Sequence, residues 1–156
     1  MTKSQIAAAL SALFITFTPA QAQQADPDTS ITVFKTPWCG CCQLWADRMI
    51  EAGYTVRTRD MEDLSFVRQQ GGISEDLQAC HTAVIGGARR YVLEGHVPIE
   101  AVERLMSERP DIRGIAVPGM PTGSLGMGFD PGARYTVYAF TGATDAEPTV
   151  FLEMGQ

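Results

Sequence analysis

Three of the four cysteines lie within four consecutive positions, at Cys39, Cys41 and Cys42. They fall between a predicted strand and the first turn of a predicted helix, where unpaired backbone N–H groups and the helix dipole favour negative charge. Such a position can lower a thiol pKa from about 8.5 to between about 3.5 and 7.5, and the thiolate is the form that binds metals and attacks disulfides. The cluster therefore predicts thiolate chemistry rather than cross-linking of distant parts of a fold.

Two kinds of chemistry are open to this cluster. Cys39 and Cys42 have the spacing of a thiol–disulfide redox pair, with Cys39 as nucleophile and Cys42 as resolving thiol. Cys41 adds a competing sulfur, and three sulfurs at one helix start are better suited to a soft ion such as copper(I). Zinc is less favoured, because structural zinc sites draw paired ligands from separate segments. The sequence therefore predicts a copper(I) site that could hold more than one ion. A thiol or copper oxidoreductase is the alternative, and a structural domain with two disulfides is the least favoured hypothesis.

Hydrophobic periodicity predicts the elements that position these residues, in the order β-α-β-α-β-β-α. The predicted strands cover 31–35, 54–59, 82–85 and 89–94, the helices cover 44–52, 64–70 and 98–110, and two later strands cover 135–140 and 149–152. This order predicts a thioredoxin-like α/β fold with a mixed central sheet and helices on both faces. The segment 112–132 is rich in Gly, Pro and Met without periodicity, which predicts a functional loop.

The predicted topology brings further donor residues toward the cluster. Cys80 immediately precedes the third strand, at the place that faces the redox pair in a thioredoxin arrangement, so its sulfur is expected beside the other three. His81 adjoins it, and His96 follows the fourth strand. Met120 and Met127 lie in the loop, and thioethers are soft ligands for copper(I). The four cysteines are thus the predicted metal ligands, and these histidines and methionines are candidates for a secondary metal site or for supporting contacts.

The N-terminus predicts export. Lys3 precedes an apolar run that is too short to span a bilayer, and a small-x-small pattern ends at Ala22. We therefore predict a signal peptide at 1–22, a disordered lead-in at 23–30 and one metal-binding domain at 31–156, in a periplasmic protein without a stable membrane anchor after cleavage. The formal net charge of −6 argues against nucleic acid as a partner. The expected partners are copper ions and other periplasmic copper-handling proteins.

Four motifs in order resemble one known family. The runs 38–42, 80–84, 94–98 and 116–128 are similar to domain-of-unknown-function family 411, whose members are small, exported, thioredoxin-like metal-binding proteins linked to copper handling. The resemblance covers about residues 31–141. It implies that Cys39, Cys41, Cys42 and Cys80 form the metal site and that His96 and Met120 lie on the family's characteristic surface. A role in copper resistance or copper homeostasis is implied in the same way.

Overall fold

The computed structural model describes residues 27–143 and 146–155. The predicted signal peptide at 1–22 and positions 23–26 of the predicted lead-in lie outside the described residues. The remaining part of that lead-in is ordered, because Pro27–Thr29 form a short 3-10 helix and Ser30 begins the first strand. Within the described ranges, no helix has the length and apolar character needed to cross a membrane.

Ten longer elements follow the 3-10 turn. Along the chain they are β1 Ser30–Lys35, α1 Gly40–Glu51, β2 Thr55–Asp60, α2 Ser65–Gly71, β3 His81–Ile85, β4 Tyr91–Gly95, α3 Ile99–Glu108, β5 Gly114–Val117, β6 Tyr135–Phe140 and β7 Thr149–Met154. A second 3-10 turn, Glu75–Leu77, lies between α2 and β3. The first seven longer elements have the predicted order.

The strands form one seven-stranded sheet with the order β2-β1-β3-β4-β5-β6-β7. The pairs β1–β2 and β4–β5 are parallel and the remaining pairs are antiparallel. The chain therefore has a mixed α/β fold, as predicted.

Helices cover both faces of the sheet, and alternate side chains of each strand pack against one face or the other. On one face α1 and α3 bury Trp45 and Leu105 against strand residues such as Val33. On the other face Leu77, from the second 3-10 turn, packs with Val92 and other strand residues. Helix α2 lies on this second face, where a Cβ at its last residue, Gly71, would stand 3.6 Å from Val92 Cγ1.

The structure corrects the prediction that 112–132 is a loop throughout. Gly114–Val117 form β5, a buried strand between β4 and β6. All four residues are buried, so the strand lacks the apolar–polar alternation by which a half-buried strand is identified from sequence. Gly114 is required by the close approach of β4, because a Cβ there would clash with the Val92 carbonyl oxygen. The loop begins only after Val117.

Candidate metal centre

The three clustered cysteines lie at the start of α1. Cys39 is the N-cap residue with extended backbone angles, and its N–H donates to the Thr36 carbonyl at 3.1 Å. The helix begins at Gly40, which places Cys41 and Cys42 in its first turn. Cys42 is fully buried, whereas Cys39 and Cys41 are half-buried. The local placement on which the thiolate argument depends is therefore present.

Two of these cysteines are joined. Cys39 and Cys42 form a disulfide with their Cα atoms 5.4 Å apart, while Cys41 and Cys80 are free thiols. The Cys41 Sγ lies 3.6 Å from the Cys39 Sγ. The structure thus has the bond expected of the redox-pair alternative and keeps two further thiols beside it.

The fourth sulfur reaches the other three from a distant part of the chain. All four cysteine Sγ atoms lie within 4.8 Å of one another. The Cys42 Sγ also lies 3.6 Å from the Cys80 carbonyl oxygen. Two sulfurs bound to one ion at about 2.3 Å are at most about 4.6 Å apart, so small movements suffice for a shared ion once the disulfide is reduced. The cysteine cluster could therefore bind a metal ion.

Two buried histidines extend the donor set from the Cys80 side. The Cys80 Sγ lies 2.9 Å from His96 Nε2 and 3.6 Å from His81 Nδ1, and one donor atom from each of these three residues lies within 4.8 Å of the others. His96 Nδ1 is 2.7 Å from the Leu125 carbonyl oxygen. Because a carbonyl can only accept, we assign the His96 proton to Nδ1, which leaves the Nε2 lone pair facing Cys80.

Burial keeps both imidazoles neutral at pH 7. It lowers the pKa of His81 to about 3, with smaller contributions from His96 and Arg68, and it also lowers the pKa of His96. His81 stacks on Trp45 at a ring-centroid distance of 4.7 Å, and its Nε2 is buried without a hydrogen-bond partner among the described residues. Neutral imidazole is the form that binds metals.

Cys80 differs from a cysteine at a helix start. Burial, together with smaller contributions from charge repulsion by and a hydrogen bond with the neighbouring Cys41, raises the pKa of Cys80 to about 12. Cys80 is therefore a thiol at neutral pH, and an ion that binds its sulfur must displace the proton. The low thiol pKa expected at a helix N-terminus does not extend to this fourth sulfur.

The loop after β5 packs against the first turn of α1. Gly126 has a φ of +87°, and a Cβ there would stand 2.9 Å from Trp45 N and 3.1 Å from the Cys41 carbonyl oxygen. Met127 follows at once and is half-buried, whereas the Met120 side chain is 55 % exposed. The loop thus contacts α1 at Gly126 and His96 at Leu125, and a ligand role for either methionine stays a prediction.

Sequence reasoning missed a buried ion pair next to Cys80. Glu94 is fully buried, and its Oε1 lies 3.3 Å from Arg68 Nε. The same Oε1 accepts from the Ala79 N–H at 2.8 Å, and Oε2 accepts from the Thr82 hydroxyl at 2.6 Å. One signal was available: Glu94 is a charged residue in the otherwise apolar strand β4, and such residues are rarely buried without a partner.

Fold and donor set together define a mixed α/β domain with a cysteine cluster that could bind a metal ion. The family described as "Protein of unknown function, DUF411" matches residues 77–127. The solved structure "Copper resistance protein copG- Form 1" is 33 % identical, with 85 % of this chain and 100 % of that chain covered and a TM-score of 0.73. Form 2 of the same protein is 35 % identical over 80 % and 96 % of the two chains, with a TM-score of 0.70. The chain belongs to the DUF411 family. No curated protein matches it.

Proposed function

We propose that this protein is a periplasmic copper(I)-binding protein that sequesters or transfers copper in copper resistance. Cys39, Cys41, Cys42 and Cys80 are the proposed ligands. The observation that carries the proposal is the convergence of four sulfurs from two segments of chain within 4.8 Å. Both similar solved structures are named as copper resistance proteins, which supports copper as the ion.

The donor chemistry supports copper(I) over other metals. Thiolates select soft ions, and imidazole is also a copper ligand. Three of the four sulfurs belong to one helix start, whereas structural zinc sites usually draw paired ligands from separate segments. Because neighbouring thiolates can bridge ions, the cluster could hold more than one copper.

Anaerobic titration of the reduced protein with copper(I) against a chromophoric chelator tests the proposal. We expect the parent protein to hold copper(I), and Cys41→Ser and Cys80→Ser each to weaken it by at least tenfold, because each removes a ligand. Ser107→Ala, at an exposed position of α3, is the control and should leave the affinity unchanged. Equal affinity in the parent and in a variant with all four cysteines changed to serine would refute copper binding by this cluster.

The Cys39–Cys42 disulfide favours a second candidate, a copper or thiol oxidoreductase. When the two thiols form this disulfide they release two electrons and two protons, which can reduce two copper(II) ions to copper(I). We expect two copper(I) ions per disulfide when the reduced protein receives copper(II) anaerobically. Cys42→Ser should abolish the Cys39–Cys42 disulfide and the two copper(I) ions that form with it. Reduction of insulin disulfides without copper would instead assign general thiol–disulfide exchange.

Export is a separate part of the proposal and rests on residues 1–22. Cleavage after Ala22 predicts a mature chain that begins at Gln23. Mass spectrometry of the protein from a periplasmic extract tests this, and recovery of the uncleaved chain from the cytosolic fraction would contradict it. Other periplasmic copper-handling proteins are the proposed partners for transfer.

A further inference from the structure

We propose that Arg68 and Glu94 are positioning residues that hold Cys80 in the four-sulfur cluster. The proposal rests on the proposed function, since it concerns the fourth ligand of that site. Neither residue supplies a donor to the cysteine cluster itself. They act through Ala79, the residue immediately before Cys80, and we call Arg68 and Glu94 together the Ala79 clamp.

The clamp binds both backbone groups of Ala79. Its N–H donates to Glu94 Oε1 at 2.8 Å, and its carbonyl oxygen accepts from Arg68 Nη2. Arg68 Nε lies 3.3 Å from the same Glu94 oxygen, so the two side chains form an ion pair beside Ala79, although Nε makes no hydrogen bond among the described residues. The Ala79 carbonyl and the Cys80 N–H belong to the same planar peptide unit. Fixing the carbonyl therefore also fixes the orientation of the backbone at Cys80.

The clamp lies just beyond the point where pairing of β3 with β1 ends. The register of β3 with β1 ends at the pair His81 and Lys35. Ala79 instead forms an isolated bridge with Gly119, and the Gly119 N–H donates to the Gln78 carbonyl at 3.4 Å. Side chains from α2 and β4 thus supply the hydrogen bonds that a continuous β1–β3 ladder would otherwise give to this segment.

A second residue of β4, Gly95, also approaches Ala79. Gly95 has a φ of +73°, and a Cβ there would stand 2.6 Å from the Ala79 Cβ. Strand β4 therefore contacts Ala79 through Gly95 as well as through the Glu94 side chain. The Glu94 carboxylate is itself oriented by Thr82, its cross-strand partner on β3.

A buried ion pair is a costly way to stabilise a fold. Apolar residues of similar volume often do as well or better, because each charge loses its hydration. Burial raises the pKa of the Glu94 carboxyl, and the hydrogen bonds from Thr82 and Ala79 together with the charge of Arg68 act against that rise. Beyond packing, this pair fixes the position of the backbone immediately before Cys80. In that position the Cys80 Sγ lies 2.9 Å from His96 Nε2 and within 4.8 Å of the other sulfurs.

A second arginine with the same types of partner provides a control. Arg104 on α3 also pairs with a carboxylate, Glu108, and also donates to a backbone carbonyl, that of Phe151. Neither of its partners is a cysteine or adjoins one. The Arg104–Glu108 pair is exposed whereas the Arg68–Glu94 pair is largely buried, so Arg104→Met controls for the loss of an arginine with the same types of partner, and of these two variants only Arg68→Met removes a contact to the residue before Cys80.

The experiment measures copper(I) affinity of the reduced protein by anaerobic chelator competition. Loss of a partner behind a metal ligand typically weakens metal binding by about 10- to 100-fold, and we expect this for Arg68→Met. Arg68→Lys keeps the charge but not the planar fork that spans two acceptors, so we expect an intermediate loss. Arg104→Met should bind like the parent.

A cycle with Cys80→Ser separates positioning from a general structural role. If the clamp acts through Cys80, Arg68→Met causes no further loss of affinity once Cys80 is serine. An equal loss in both backgrounds, or parent-like affinity in folded Arg68→Met, would overturn the positioning role. Parent-like affinity of Cys80→Ser alone would instead overturn the proposed four-cysteine site. If Arg68→Met does not fold, Arg68→Lys decides in the same cycle.

Discussion

At the residue scale, the chemistry of each cysteine depends on its surroundings more than on its spacing. Cys39, Cys41 and Cys42 share one helix start, yet two of them are joined and one is free. The spacing left this pairing open, because it is compatible with both a redox pair and a set of ligands. Cys80 is set apart by burial, which raises its pKa to about 12.

This environment predicts how Cys80 reacts with an alkylating reagent. Because only the thiolate reacts, the rate at Cys80 in the folded, disulfide-containing protein should still rise roughly tenfold per pH unit between pH 9 and 11. In the protein unfolded by urea, the same residue should level off near its ordinary pKa of about 8.5. Peptide mass spectrometry after pulses of iodoacetamide measures both rates. A plateau at pH 9 in the folded protein would contradict the raised pKa.

At the element scale, periodicity predicted the first seven elements because each has a clear apolar pattern or turn residues at its ends. Strand β5 was missed because four buried residues carry no alternation. The meeting of Cys80 with the helix start followed from the predicted topology. The Ala79 clamp did not, because Arg68 and Glu94 lie on different elements and no local pattern links them.

The contact between the loop and α1 can be tested with two glycines. Gly126 and Gly128 both have a φ of +87°, but only Gly126 approaches α1, and a Cβ at Gly128 would meet nothing within 4 Å. Both alanine variants bear the cost of a left-handed alanine, about 1 kcal/mol. Gly126→Ala should lose about 1–3 kcal/mol more, because the added methyl group must displace the backbone at Cys41 or Trp45. Urea unfolding of both variants measures the difference, and equal losses would show that the contact contributes nothing.

At the scale of the whole molecule, buried neutral histidines couple stability to acid. His81 has a folded pKa of about 3, whereas in the unfolded chain it takes up a proton near pH 6.5. The depressed pKa therefore contributes stability that is present above pH 6.5 and is lost as the pH falls toward 3. His96, whose pKa burial also lowers, acts in the same direction.

We expect the free energy of unfolding to fall with decreasing pH below 6.5, with a contribution from His81 of up to about 1.4 kcal/mol per pH unit. His81→Gln should have a shallower dependence, because glutamine does not titrate. Urea unfolding at several pH values between 7 and 4 measures both slopes. Carboxyl groups titrate in both proteins, so the difference between the slopes isolates the histidine, and identical slopes would contradict its burial in the neutral form.

Cys80 and Cys42 are separated by 38 positions in the sequence. Binding of an ion by both would therefore affect how long the folded protein persists. An unfolded chain retains three neighbouring sulfurs, but the fourth is brought to them only by the folded sheet. An ion held by all four sulfurs would therefore stabilise the folded state. The gain in the free energy of unfolding would grow with the logarithm of the ratio of the ion's concentration to its dissociation constant. Loaded molecules would then resist proteases for longer than empty ones, so that copper supply would itself adjust how much of the protein persists.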